Sequence, residues 1–261
     1  MLSEQQKQFY QENGYLVLKN VFASEETEAM REEIEAIGQR TKDAATSKLA
    51  GTGWGGKWRE NMEGGGASAL LSIHDMQFHS ALFTRMLLDD RITEPVADLI
   101  GPNVQLHHTK MHWKPPEKGT PFPMHQDYHY FPHEGNSMLA YIVHVDDSTV
   151  ENGCLCLYPG SHKQGIIPHA PDGLYLSPQE YPLEKAMPSP ANAGDVLIFS
   201  YLTIHGSGVN RTASTRRIML FQFRAPDDHP IAETHLSPGQ GLMLRGFNPE
   251  PGRVPRRIDS K

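Results

Sequence analysis

The spacing of apolar positions changes character near residue 100. Before it, apolar residues recur mostly at helical intervals; after it, they come in short runs broken by proline, glycine and asparagine. The run Tyr15 to Leu18 follows Asn13-Gly14 and predicts a strand after a turn. A helix is expected next: Ser24 can cap it, acidic residues fill its first turn, Met30, Ile34 and Ile37 share a face, and Gly38 marks its end. Between Gly51 and Gly66 lie seven glycines, with Trp54 and Trp58 and no apolar period, which predicts a mobile loop able to cover a cleft. Helical spacing returns over Phe78 to Leu88 and over Ile92 to Ile100, where Ile92, Val96 and Leu99 share a face and Gly101 stops the run.

From there the pattern is β. Strands are predicted over Val104 to Trp113, Met138 to Val145, Cys154 to Tyr158, Asp195 to Phe199 and Arg217 to Phe223, at the regular spacing of a sandwich, barrel or jelly roll. No internal repeat and no break in composition divides the chain. The expectation is one mainly β domain with flanking helices over residues 1–261, a helical layer over about 1–100 supporting a β core over about 101–235.

Composition narrows the function. The 261 residues are 38% hydrophobic and 21% charged, as in ordinary globular proteins. With 24 basic against 31 acidic residues the net charge is -7, which argues against a nucleic-acid partner. No apolar run approaches the roughly 20 residues of a membrane helix. The start of the chain shows no basic segment followed by an apolar one, so a cytoplasmic protein is expected. Cys154 and Cys156, two apart in an apolar run, are expected to be reduced core thiols. Histidine is the abnormal count, at 14.

Several of those histidines can carry chemistry. In His125-Gln126-Asp127 an imidazole and a carboxylate stand two apart, so on a strand they project from one face toward one ion. His205, beyond the apolar strand Asp195 to Phe199 and followed by glycines, offers a third ligand. Two histidines and one carboxylate on one octahedral face leave three positions open, the arrangement of non-haem Fe(II) oxygenases. Arg216, eleven residues after His205, is placed on a strand returning beside it, where a guanidinium can grip the distal carboxylate of an oxoacid cosubstrate. A zinc hydrolase could use the same three ligands, and a jelly-roll binding protein could hold a small ligand without turnover; measurement of succinate release separates both from an oxygenase.

The sequence resembles the phytanoyl-CoA dioxygenase family of Fe(II)/2-oxoglutarate oxygenases over roughly Gly101 to Ala225. The likeness is carried by Gly101-Pro102-Asn103-Val104, Lys114-Pro115-Pro116, the run His125 to Pro132, Asn152-Gly153-Cys154-Leu155, Pro159-Gly160-Ser161-His162-Lys163 and the run Ile204 to Asn210. The resemblance implies a double-stranded β-helix (jelly-roll, cupin-like) core, iron held by His125, Asp127 and His205, and 2-oxoglutarate held by Arg216 with help from Ser207. It further implies dioxygen as oxidant, ascorbate as a candidate stimulant and a small-molecule or acyl-CoA substrate, with the oligomeric state open. Asp127 stands where iron halogenases need a small residue, so hydroxylation is expected.

Three positions depart from the family pattern. Tyr141 replaces an expected tryptophan, an aromatic wall beside the cosubstrate. Lys110 replaces a methionine, and Ser72 replaces a lysine that helps hold the cosubstrate, so Lys110 is expected to face the site and compensate. Among the other histidines, His129 is expected beside the site without binding the metal, His107, His108 and His112 in the core or pocket, and His162 at a turn. The C-terminal arginines Arg245, Arg253, Arg256 and Arg257 are expected in a solvated tail.

Overall fold

The Ser3 hydroxyl accepts the Gln6 amide at 3.2 Å while the Gln6 side chain accepts the Ser3 amide at 2.9 Å, and this reciprocal cap starts helix α1 (Glu4–Asn13). The computed structural model describes residues 1–43, 50–52, 71–116, 121–171, 173–232 and 234–250. Helix α1 is absent from the sequence expectations because its apolar spacing is weak; its signature is the cap. Gly14 ends it at φ 75°, where an added Cβ would lie 2.3 Å from His162 Nδ1.

Strand β1 (Tyr15–Leu18) and helix α2 (Ser24–Asp43) follow. The helix does not stop at Gly38. That glycine lies in mid-helix, and a Cβ there would come within 2.6 Å of the Trp113 ring, so close packing, and not termination, accounts for it. Most of the glycine-rich segment, with Trp54 and Trp58, lies outside the described residues; strand β2 (Ala50–Thr52) and strand β3 (Leu71–His74) flank it. A 3-10 turn at Met76–Phe78 and the short helix α3 (Ala81–Met86) stand where one longer helix was expected. Helix α4 (Asp90–Ile100) is capped by Asp89, whose carboxylate accepts the Arg91 amide at 2.9 Å.

The β core comprises β4 (Val104–Lys114), β5 (Phe122–His125), β6 (Leu139–His144), β7 (Leu155–Leu157), β8 (Met187–Pro188), β9 (Val196–Ser200), β10 (His205–Ser207), β11 (Arg216–Arg224) and β12 (Met243–Arg245). Two antiparallel sheets result. The larger has the order β1-β9-β6-β11-β4-β3-β2 with β12 paired to β4, and the smaller the order β5-β10-β7-β8. Neighbours in sheet order are mostly distant in sequence, as in a jelly roll, and the fold class read from the sequence holds.

Strand alternation gives the large sheet two different faces. Leu139, Tyr141 and Val143 of β6, with Met219, Phe221 and Phe223 of β11, pack against Ile34 and Ile37 of α2 and Ile92 and Val96 of α4. Ala140, Ile142 and Ile218 point the other way, toward Leu155 and Leu157 of the small sheet. All six residues of β6 are buried because both faces are covered, which explains a continuous apolar run. Among the described residues no helix is long and apolar enough to cross a membrane. Arg245 pairs with Asp90 at 3.3 Å, and Arg253, Arg256 and Arg257 lie outside the described residues.

Candidate active site

The cleft between the sheets collects His125, Asp127 and His205 from three different local structures. His125 closes β5, and His205 opens β10 opposite it in the antiparallel register. Asp127 is not on the strand: it opens a 3-10 turn, Asp127–His129. The carboxylate therefore reaches the two imidazoles by a turn of the chain and not by strand alternation. One ligand atom from each of the three lies within 4.8 Å of the others, with Asp127 Oδ1 at 3.7 Å from His125 Nε2 and 3.8 Å from His205 Nε2.

The backbone sets both tautomers. His125 Nδ1 donates to Pro123 O at 2.8 Å and His205 Nδ1 donates to Thr203 O at 2.9 Å, so each Nε2 presents a lone pair toward Asp127. Burial pushes His125 down to about 3 and His205 down to about 4, so both rings are neutral at physiological pH, the state a metal ligand requires. Burial also raises the Asp127 carboxyl, an effect opposed by the neighbouring His125 and by the Lys110 ammonium. Among the described residues its Oδ2 is buried without a close hydrogen-bond partner, the Gln222 side chain acting on the carboxyl only weakly. Two neutral imidazoles and one under-satisfied carboxylate fit a divalent iron and leave coordination positions free.

Arg216 opens β11 and lines the same cleft. It does not return beside the His205 strand, as the spacing suggested: β11 lies between β6 and β4 in the large sheet, so the guanidinium faces the metal-ligand cluster from across the cleft. Only 4% of the residue is exposed, yet among the described residues Nε and Nη1 have no hydrogen-bond partner. Burial lowers its pKa to about 10, and the side chain remains charged. A buried, charged, unsatisfied fork of donors fits a carboxylate supplied by a ligand.

Ser207 lines the cleft, and its Oγ accepts from Lys114 Nζ at 2.7 Å. Lys110 also lines the cleft beside Asp127, 6% exposed, and burial lowers its pKa to about 8. Ser72 lies opposite His112 and His74 opposite Lys110 in the β3–β4 ladder, so Ser72 is a near neighbour of the position Lys110 fills.

Tyr141 is elsewhere. It points to the helical face of β6, donates to Arg91 O at 2.8 Å and packs edge-on against Phe221 and Phe223. It is no wall for a cosubstrate; Ile142, one residue on, takes the cleft side.

The remaining histidines divide clearly. His129 donates Nε2–H to Ile167 O at 2.7 Å, and His162 donates to Gln11 O at 3.1 Å. His107 and His108 are adjacent, yet a register shift in β4 brings their Nδ1 atoms within 2.7 Å, where they share one proton. Lys114, read in the sequence only as part of a turn motif, is buried and donates to the cleft-lining Ser207. Its signal was position: it ends β4 directly opposite Arg216.

A jelly roll with a two-histidine, one-carboxylate cluster facing a buried arginine defines the non-haem iron oxygenase class. The phytanoyl-CoA dioxygenase (PhyH) family profile matches residues 10–218. The peroxisomal phytanoyl-CoA dioxygenase of Rattus norvegicus is 30% identical over 251 residues, covering 87% of this chain and 70% of the relative. Among solved structures, the non-haem α-ketoglutarate-dependent carbocyclase SnoK from nogalamycin biosynthesis superposes with a TM-score of 0.73 at 22% identity, covering 92% of this chain and 93% of its own. The epimerase SnoN, in complex with Fe3+, α-ketoglutarate and nogalamycin RO, gives 0.70 at 21% identity, covering 93% and 98%. The chain belongs to the phytanoyl-CoA dioxygenase family and is a 2-oxoglutarate-dependent non-haem iron dioxygenase.

Proposed function

We propose that the protein, acting as one domain, hydroxylates an unactivated carbon of a small organic molecule, with His125, Asp127 and His205 holding Fe(II) and Arg216 holding the distal carboxylate of 2-oxoglutarate. The observation that carries this reading is the pairing of a three-ligand cluster with a buried guanidinium whose Nε and Nη1 lack a partner among the described residues, in the same cleft. When bound, the metal and cosubstrate supply the oxidising power, with dioxygen consumed and succinate and carbon dioxide released.

The chain's own residues supply geometry and charge. Nδ1 donation to Pro123 and Thr203 keeps both imidazoles aimed at the ion. The guanidinium fixes the cosubstrate's direction, and Ser207 adds a hydroxyl at that end. Lys110, on the Asp127 side, neutralises a carboxylate near the metal and takes over from the missing lysine at Ser72. Ile142, Phe199, Ile218 and Leu220 line the cleft with apolar surface and exclude water from the reacting carbon. A zinc hydrolase would have no use for the buried Arg216, and no observation favours a non-catalytic binding protein.

Curated relatives are named for molecules as different as phytanoyl-CoA and ectoine, so family membership leaves the substrate open. A screen of acyl-CoA thioesters, amino acid derivatives, phosphonates and secondary metabolites, read by succinate release with Fe(II), ascorbate and oxygen, tests the reading. Substrate-stimulated succinate that is abolished by a chelator is the expected result. A protein that binds neither Fe(II) nor 2-oxoglutarate contradicts it.

A further inference from the structure

Lys114 is 1% exposed, and its amino group has three acceptors: Ser207 Oγ at 2.7 Å, Gly208 O at 2.5 Å and Gly153 O at 3.4 Å. Burial, and the charge of Arg216 beside it, push its pKa well below the ordinary lysine value, and the three acceptors take up its protons, so none is left for a ligand. The side chain crosses from the large sheet, where Lys114 is the register partner of Arg216, to the end of β10 in the small sheet. Its backbone is tied to the same place: Asn210 Nδ2 donates to Lys114 O at 3.0 Å and to Ser214 O at 2.8 Å, stapling the segment that joins β10 to Arg216.

Glycine at 153 is required for this cage. Its φ is +74°, and an added Cβ would lie 2.5 Å from Gly208 O and 3.0 Å from Val209 O, displacing two carbonyls of the segment that Lys114 holds. The Ser207 hydroxyl, receiving a proton from Lys114, must send its own elsewhere, and Ser207 lines the cleft together with Arg216.

We propose that Lys114 is a positioning residue for the cosubstrate: by donating to Ser207 and Gly208 it turns the Ser207 hydroxyl proton into the cleft, so that Ser207 and Arg216 together bind the distal carboxylate of 2-oxoglutarate. The inference rests on the functional reading above. Lys114 itself touches no ligand; it acts through the serine. A bond to a charged acceptor is worth roughly 10- to 100-fold in affinity, so loss of the Ser207 contribution should weaken cosubstrate binding by about that factor.

Oxalate separates positioning from general damage, because it can chelate the metal end and has no distal carboxylate. Anaerobic calorimetry on the Fe(II) protein would compare 2-oxoglutarate and oxalate for the wild type, Lys114→Met, Ser207→Ala and the double variant. The expected result is a 10- to 100-fold loss for 2-oxoglutarate in each variant, no greater loss in the double variant, and unchanged oxalate affinity throughout. Equal losses for both ligands in Lys114→Met, or wild-type 2-oxoglutarate affinity in either single variant, would overturn the proposal. If Lys114→Met does not fold, Ser207→Ala and Lys114→Arg decide: selective loss in the first, with at least partial retention of 2-oxoglutarate binding in the second, supports it, and any other pattern overturns it. A wild-type protein that fails to bind 2-oxoglutarate would instead refute the functional reading beneath it.

Discussion

Arg216 and Arg217 are adjacent in the chain and opposite in fate. Arg217 points to the helical side of the large sheet, where Nη1 meets Asp146 at 2.7 Å and Nε donates to Glu35 at 2.7 Å, while Asp146 also accepts from Arg31 at 2.8 Å. Arg216 points into the cleft and keeps two buried nitrogen atoms without partners among the described residues. The same contrast runs along the sheet. Its helical face is filled by apolar side chains and closed by paired charges; its cleft face carries Lys110, His112 and Arg216 around a cluster of ligand-type atoms. A buried unsatisfied donor costs about 1–3 kcal/mol, so a face that retains several is completed by something outside the chain. One side of the sheet holds the molecule together, and the other presents charged and metal-ligating side chains to the cleft.

Substitutions on the two faces should therefore separate cleanly. Asp127→Ala removes the anionic ligand and should reduce Fe(II) affinity by more than about 100-fold, since loss of mere supporting groups around a metal already costs 10- to 100-fold; iron titration and succinate release both report it. Lys110→Met should weaken 2-oxoglutarate binding by about tenfold, the value of one charge-assisted contact, read by the same anaerobic titration. Crossing to the helical face, Arg217→Ala should destabilise by about 1.5 kcal/mol in urea unfolding. Its 2-oxoglutarate affinity should stay within about twofold of wild type. Tyr141→Phe should cost about 1 kcal/mol, the bond to Arg91, and leave cosubstrate affinity equally untouched. A large affinity loss in Tyr141→Phe would erase the distinction between the faces.

The sequence made some of this legible and hid the rest for identifiable reasons. Short-range chemistry was readable: His125 and Asp127 lie two residues apart, and glycine-flanked His205 stands out against its surroundings. The route by which they meet was not, because a strand and a 3-10 turn can both bring residues i and i+2 together. Strand parity decided Tyr141: its neighbour Ile142 faces the cleft, and no local pattern distinguishes two positions in a strand buried on both sides. Gly38 looked like a helix stop because what demands it, the Trp113 ring, comes from far along the chain. Lys114 was overlooked for the same reason, since its acceptors lie some forty to ninety positions away.

The central claim is that the cleft face is completed by a metal-bound dicarboxylate, and calorimetric titration of 2-oxoglutarate into the anaerobic Fe(II) protein and its Arg216→Ala variant tests it most directly. Stranding a carboxylate by removal of one buried charged partner costs on the order of 2–5 kcal/mol, so the dissociation constant should rise roughly 30-fold to several-thousand-fold while iron affinity stays nearly unchanged. Equal dissociation constants for the two proteins would contradict the account.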